Sequence, residues 1–191
     1  MNAEKMTQKA MEALEAAHAD AVRKGHPELT TLHLLQALLD QEHGLTGNLL
    51  GKMGKDPGML QHAVSEELGK LPTFNGASGR VAASGGMNQV LVHSDDEAKQ
   101  LGDEYVSVEH LLLAILEEGK SGPAGRLLQE QSIRRKELLK TLEDVRGGQR
   151  VTNRNPEDTF EALEKYGSDL TLLAREGKLD PVIGRMMKSE D

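Results

Sequence analysis

An internal repeat constrains the fold of this chain more than any other feature of its sequence. The segment Gly25–Leu35 lies over Gly102–Leu112 at an offset of 77 residues, and both follow the pattern Gly-x4-Thr/Ser-x2-His-Leu-Leu. The same offset pairs Leu14 with Leu91. A unit of about 70 residues is marginal alone, so we expect the two copies to pack into one pseudo-two-fold domain.

Apolar residues recur with the period of an α-helix in both copies. In the second copy Val108, Leu111, Leu112, Ile115 and Leu116 fall at i, i+3, i+4, i+7 and i+8, which lines one helical face. Aromatic residues make up only 2% of the chain, so the core must be aliphatic, which favours packed helices over sheets. The sequence therefore predicts an all-α fold, with two tandem four-helix repeats in one eight-helix domain.

Helix ends are predicted from local chemistry. Hydroxyl side chains stand where they can cap the first free N–H groups of four helices, namely Thr7, Thr30, Ser84 and Ser107. Gly25 and Gly102 suit the left-handed conformation that follows a helix, and Asp56-Pro57 is typical of a helix start.

Composition divides the chain into a domain and a linker. We assign residues 1–148 to the domain, with repeat 1 at about 1–70, a Gly-, Ala- and Ser-rich flexible connection at 71–86, and repeat 2 at about 84–148. Residues 149–191 are predicted to be a linker with short helices, one of which starts at Asn155-Pro156.

Composition also limits compartment and partners. The chain has no cysteine, no cationic start followed by an apolar block, and no run near the ~20 apolar residues that cross a bilayer. The net charge of −8 repels the phosphate backbone of nucleic acids. We therefore expect a cytoplasmic protein without membrane or nucleic-acid partners, and a monomer.

The spacing of residues in the sequence predicts no catalytic or metal-binding group of side chains. The string Gly47–Met53 has the wrong spacing for a phosphate-binding loop and lacks its hydroxyl, so there is no Walker motif and no predicted cofactor. The histidines have no metal-ligand spacing, and His33 and His110, at equivalent repeat positions, are expected to make structural hydrogen bonds or to face solvent. The run Asp95–Glu97 splays around a helix and predicts a solvated face. The remaining function is binding, for which grooves between helices are suited.

The residues resemble a known family. The duplicated pattern is similar to the double repeat of Clp N-terminal domains over residues 1 to about 148, and residues 146–185 resemble the linker and the opening of the first AAA+ module of ClpB-type disaggregases. The resemblance implies a stress-response chaperone whose hexameric ATPase ring uses ATP and Mg²⁺ and works with a DnaK-type chaperone. Residues 181–185 resemble an adenine-contacting stretch, whereas Met186–Asp191 depart from the family pattern.

The resemblance also implies that unfolded or aggregated polypeptides are engaged by Thr7, Asp103 and Glu109, which match the family in residue type. Each has a structural alternative, because Thr7 can cap a helix, Glu109 lies in a first turn and Asp103 follows a terminating glycine. Two other functions stay open. One is docking of a folded adaptor, as in ClpA and ClpC, and the other is a partial ATPase.

Overall fold

Eight α-helices in two consecutive sets of four build the part of the chain that the computed structural model describes, residues 3–74 and 80–157. The first set is α1 (Gln8–Arg23), α2 (Thr31–Asp40), α3 (Leu45–Lys52) and α4 (Pro57–Gly69), and the second is α5 (Gly85–Gln100), α6 (Val108–Glu117), α7 (Pro123–Glu130) and α8 (Arg135–Arg146). Two 3₁₀ turns, Ala3–Lys5 and Gly119–Ser121, accompany them. The predicted all-α double repeat is confirmed.

The helix ends follow the predicted chemistry. The Thr7 and Ser84 hydroxyls accept hydrogen bonds from the N–H groups of Ala10 and Met87, at 3.2 and 3.1 Å. Gly25 and Gly102 take φ values of 71° and 73°, the left-handed region in which a glycine avoids the strain that a side chain would cause.

The core is aliphatic and centres on α2 and α6. Both helices are buried along almost their whole length, α2 between α1 and α4 and α6 between α5 and α7, and they also contact each other. Leu34, Leu35, Leu111, Leu112 and Ile115 are fully buried. Burial of such side chains contributes about 1.5–3 kcal/mol each to folding, so these two helices hold the repeats together.

Two short parallel backbone pairings cross between the repeats, which the sequence did not predict. Strand β1 (Glu28–Leu29) pairs with β2 (Ala82–Ala83), with Leu29 opposite Ala83. An isolated bridge joins Met6 to Val106. Adding the repeat offset of 77 turns Leu29 into Val106 and Met6 into Ala83, so the two pairings are equivalent.

The compact unit that contains both repeats runs to Glu157, and residues 158–191 lie outside the described residues. Residues 149–157, assigned to the linker from sequence, pack on the repeats. Pro156 and Glu157 are helical, as expected for the helix predicted to start at Asn155-Pro156. The rest of that helix, the other helix predicted after it and the atypical end at 186–191 fall outside the described residues. Within the described ranges, no helix is both long and apolar enough to cross a bilayer.

Candidate functional site

All three residues predicted from sequence as the site lie in one buried group of side chains, which we call the polar cluster. Its members come from five separate parts of the chain, and all are at least nine-tenths buried: Thr7, Asp103, Ser107, Glu109, His110, Arg146 and Glu157. Asp103 is the most accessible residue, at 8%, and this exposure is of its backbone because its side chain is fully buried. These side chains therefore meet one another and not bulk solvent.

Arg146, at the end of α8, is the cation of the polar cluster. Its guanidinium lies 2.9 Å from an Asp103 oxygen and donates at 2.5 and 3.1 Å to Glu109 Oε2. Charge-assisted hydrogen bonds of this kind are about twice as strong as neutral ones. One buried cation thus serves two buried carboxylates.

His110 is held as one tautomer. The Ser107 backbone N–H donates to Nδ1 of His110 at 2.8 Å, so Nδ1 must accept and Nε2 carries the proton. Nε2 then donates to Oδ2 of Asp103 at 2.7 Å. The imidazole therefore links the backbone at the start of α6 to the Asp103 side chain by two hydrogen bonds.

The two carboxylates paired with Arg146 stay ionised. Burial acts to raise the pKa of Asp103, but hydrogen bonds from His110 and the Val151 N–H, together with the Arg146 charge, hold it below its ordinary value. Burial likewise opposes ionisation of Glu109, while His110, Arg146 and the Ser107 hydroxyl outweigh it and lower the pKa.

Glu157 is the third carboxyl group of the polar cluster, and it differs from the other two. Its Oε2 accepts from the Thr7 hydroxyl at 2.8 Å and from the Val108 N–H at 3.2 Å, at the starts of α1 and α6. Its Oε1 is buried and has no hydrogen-bond partner among the described residues. Burial, and then the charge of Glu109, raise the pKa of Glu157 to about 7.

Residues 150–157, which we call the strap, bring Glu157 to this position. The Val151 N–H donates to Asp103 Oδ1 at 2.9 Å and the Val151 carbonyl accepts from the Glu104 N–H at 2.8 Å. Further along, the Arg154 carbonyl accepts from the Gln8 N–H at 2.7 Å. Val151 is fully buried, so the strap closes over the polar cluster.

The first repeat carries a neutral counterpart of this arrangement. His26 and His33 take the places of Asp103 and His110, with Nε2 of His33 2.8 Å from Nδ1 of His26. Because the Thr30 N–H donates to Nδ1 of His33, His33 donates to His26. Burial, followed by the proximity of His26, lowers the pKa of His33 to about 4. The expectation that His33 and His110 make structural hydrogen bonds is met in both repeats.

A surface groove adjoins the polar cluster. It is lined by the apolar side chains of Leu91, Val92, Ala98, Tyr105 and Val106, and by charged residues that include Asp103, Asp95, Asp96, Lys5 and Lys99. Val92 is 59% exposed, one of the few large apolar side chains with such exposure. Of the three predicted site residues only Asp103 reaches the groove, while Thr7 and Glu109 lie behind it.

The polar cluster contains residues that sequence reasoning missed, chiefly Arg146 and Glu157. A comparison of the two repeats contains one signal that could have indicated the polar cluster. Leu32 in the first copy corresponds to Glu109 in the second, where a carboxylate at a buried helix position requires a cation. Over the described residues, no group of three or more His, Cys, Asp or Glu side chains is arranged to hold a metal ion.

Two tandem four-helix repeats around an aliphatic core define a double-repeat α-helical domain. Comparison with known families then places the chain. It belongs to the Clp repeat (R) N-terminal domain family, which it matches over residues 5–131.

Relatives and solved structures agree with this membership. The chaperone protein ClpB of Nitratidesulfovibrio vulgaris is 51% identical over 188 residues, which are 97% of this chain and 22% of the relative. The Hsp104 N-terminal domain from Candida albicans has a TM-score of 0.69 at 24% identity, covering 80% of this chain and 99% of that one. The N-domain of ClpV in complex with a VipB peptide has a TM-score of 0.57 at 22% identity, covering 73% and 86%. The resemblance to ClpB-type N-terminal regions is confirmed, and the chain spans about a fifth of the ClpB relative.

Proposed function

We propose that this domain binds exposed apolar segments of unfolded or aggregated polypeptides in the groove beside α5, for transfer to the AAA+ ring of the full-length protein. The observation that carries the proposal is Val92, an apolar side chain that lines the groove and is 59% exposed. Apolar side chains of a client would be removed from water there, at about 25 cal/mol per Å² of buried surface.

The comparisons support a binding role. The similarity to ClpB covers 97% of this chain, so the whole protein is proposed to act as a ClpB-type disaggregase with a hexameric ring and a DnaK-type partner. The ClpV N-domain has been solved with a peptide, which supports peptide recognition by this fold. Affinity is expected to be weak, because a disordered client loses conformational entropy when it binds.

Thr7, Asp103 and Glu109 are proposed to act on client binding from beneath the surface. The Thr7 N–H donates to the Val106 carbonyl at 2.9 Å, and the Val106 N–H donates to the Lys5 carbonyl at 2.7 Å. Lys5 and Val106 line the groove. Substitutions in the polar cluster would therefore alter binding through the position of this wall.

An NMR titration of the isotopically labelled chain with a permanently unfolded model protein tests the proposal. We expect saturable shifts in residues 91–106, and their loss in Val92→Asp. The matched control is Met59→Asp, because Met59 is equally exposed, at 58%, but lies on α4 outside the groove.

Two outcomes would contradict client capture in this groove. Equal binding by Val92→Asp and wild type would place the client elsewhere. Absence of shifts with unfolded protein, combined with recovery of one folded protein in a pull-down, would favour the adaptor-docking alternative.

The absence of ATP hydrolysis stays a prediction, and turnover above background by the pure chain would contradict it.

A further inference from the structure

We propose that the strap is detachable, held on the domain while the Glu157 carboxyl group is protonated and loosened when that group ionises. The proposal concerns the domain without a client, so it stands or falls independently of the proposed function. It rests on the burial of Glu157, on the uneven bonding of its two oxygens, and on the charges that surround it.

The buried site that holds the Glu157 side chain, which we call its seat, accommodates a neutral carboxyl group better than a carboxylate. Oε2 receives hydrogen bonds from the Thr7 hydroxyl and the Val108 N–H, and the backbone N–H of Glu157 itself also favours the ionised form. Oε1 is buried without a partner among the described residues. An ionised carboxylate would leave a charged oxygen desolvated and unpaired, whereas a protonated group places its hydrogen there and keeps both bonds at Oε2.

The buried charges near the seat oppose ionisation of Glu157. Arg146, the one buried cation of the polar cluster among the described residues, is bonded to Asp103 and Glu109. The carboxylate of Glu109 acts on Glu157 directly. The hydrogen bond from Ser107 fixes His110 as the tautomer that donates to Asp103. Two carboxylates and one cation already leave one negative charge in the cluster, so ionisation of Glu157 would add a second.

Charged residues on the adjoining elements lie nearer the surface. Glu4 and Lys5 of the first 3₁₀ turn are exposed, and Lys9 on α1 lies 3.9 Å from Glu12. On the strap itself, Arg154 directs its Nε to the Met6 carbonyl at 3.2 Å. Water screens such surface charges, so Glu109 dominates the field at Glu157.

Two glycines between α8 and the strap can serve as a hinge. Gly147 and Gly148 both have positive φ, at 60° and 87°, and an added Cβ at either position would meet nothing within 4 Å. Two adjacent glycines without packing contacts can adopt other conformations at low cost. The Gly147 N–H caps α8 at the Glu143 carbonyl, so the chain can pivot at Gly148 while the helix end stays intact.

The linkage between protonation and docking has a definite sign. Glu157 has a pKa of about 7 in the seat and an ordinary value of 4.5. A raised pKa contributes docking free energy that is fully present below pH 4.5 and is lost as pH rises to 7. Across that window the docking constant falls about tenfold per pH unit. The strap is therefore looser in neutral than in mildly acidic solution.

The test is an NMR pH titration of the full chain from pH 4 to 9, without client or nucleotide. The readouts are the side-chain carboxyl carbon of Glu157 and the amides of Gln8, Glu104 and Val151, which bond to or within the strap. We expect all four signals to move together with a midpoint near 7, and those amides in Glu157→Gln to keep their low-pH positions at every pH.

Matched variants separate this mechanism from general effects of charge. Glu137→Gln removes an exposed carboxylate on α8 and should leave the titration unchanged. A Glu157 midpoint near 4.5 would overturn the proposal, as would strap amides that do not follow the carboxyl group. If Glu157→Gln failed to fold, the wild-type titration would still decide between these outcomes.

Discussion

The Nε2 atom of His110 lies 2.7 Å from Oδ2 of Asp103, and neither side chain is accessible to solvent. Asp103 is therefore bonded to α6 through His110, to α8 through Arg146 and to the strap through Val151. Because it has three structural partners, we expect substitution of Asp103 to shift the groove beside it. Measurements of client binding by Asp103 variants thus need a parallel measurement of stability.

Arg146→Ala should be strongly destabilising. Its removal leaves Asp103 and Glu109 buried without their cation, and breaking a buried ion pair in this way costs about 3 to 5 kcal/mol. Chemical denaturation measures the free energy of unfolding. The control is Arg126→Ala, since Arg126 is 45% exposed in its pair with Glu67 and should lose only about 0 to 1 kcal/mol. Similar losses in both variants would contradict the role given to Arg146.

Acid should destabilise the first repeat through His33. Its pKa is lowered to about 4 from an ordinary 6.5, so its contribution to stability is complete above pH 6.5 and is lost as pH falls towards 4. In His33→Gln the free energy of unfolding should depend less on pH in this window, because Gln can retain the cap without binding a proton. His62→Gln, on an exposed side chain, is the control and should behave as wild type.

Gly47 and Gly125, the third residues of α3 and α7, should respond oppositely to substitution by alanine. Gly47 on α3 has nothing within 4 Å of an added Cβ, so Gly47→Ala should raise stability by about 0.5 to 1 kcal/mol. At Gly125 on α7 an added Cβ would lie 2.7 Å from backbone atoms of Gly119, and Gly125→Ala should cost about 1 to 3 kcal/mol. Thermal unfolding of both variants checks the difference in sign.

Thr7 should matter through its hydroxyl group. Thr7→Val removes the acceptor of the Ala10 N–H and the donor to Glu157, so it should cost about 1 kcal/mol or more. It should also raise the pKa of Glu157 further, because the Thr7 hydrogen bond favours the ionised form. Thr7→Ser keeps the hydroxyl and should restore both properties. A Glu157 midpoint that is equal in the valine and serine variants would contradict this assignment.

The helices could be predicted from sequence because their signals are local. Apolar spacing within α2 and α6, hydroxyls at helix starts and glycines such as Gly25 each act over a few residues. The contacts of the candidate site could not be predicted from local signals, since Thr7 and Glu157 are 150 residues apart in the chain. The resemblance brought Thr7, Asp103 and Glu109 forward, but neither their burial nor their shared partner Arg146 can be read from spacing.

The short strands escaped prediction for a different reason. Each has two residues, and Ala82-Ala83 carries no alternation of apolar and polar side chains. Their pairing depends on where the first repeat holds Glu28 and Leu29, which is a tertiary property.

The equivalence of the Leu29–Ala83 and Met6–Val106 pairings makes the contact between the repeats isologous, as in a two-fold homodimer. Each repeat offers one edge and receives the edge of the other, so a repeat by itself would leave both of its edges unpaired. The segment between the repeats then acts as a tether that raises the effective concentration of one half for the other. The domain therefore resembles a two-fold dimer whose two subunits are joined in one covalent chain.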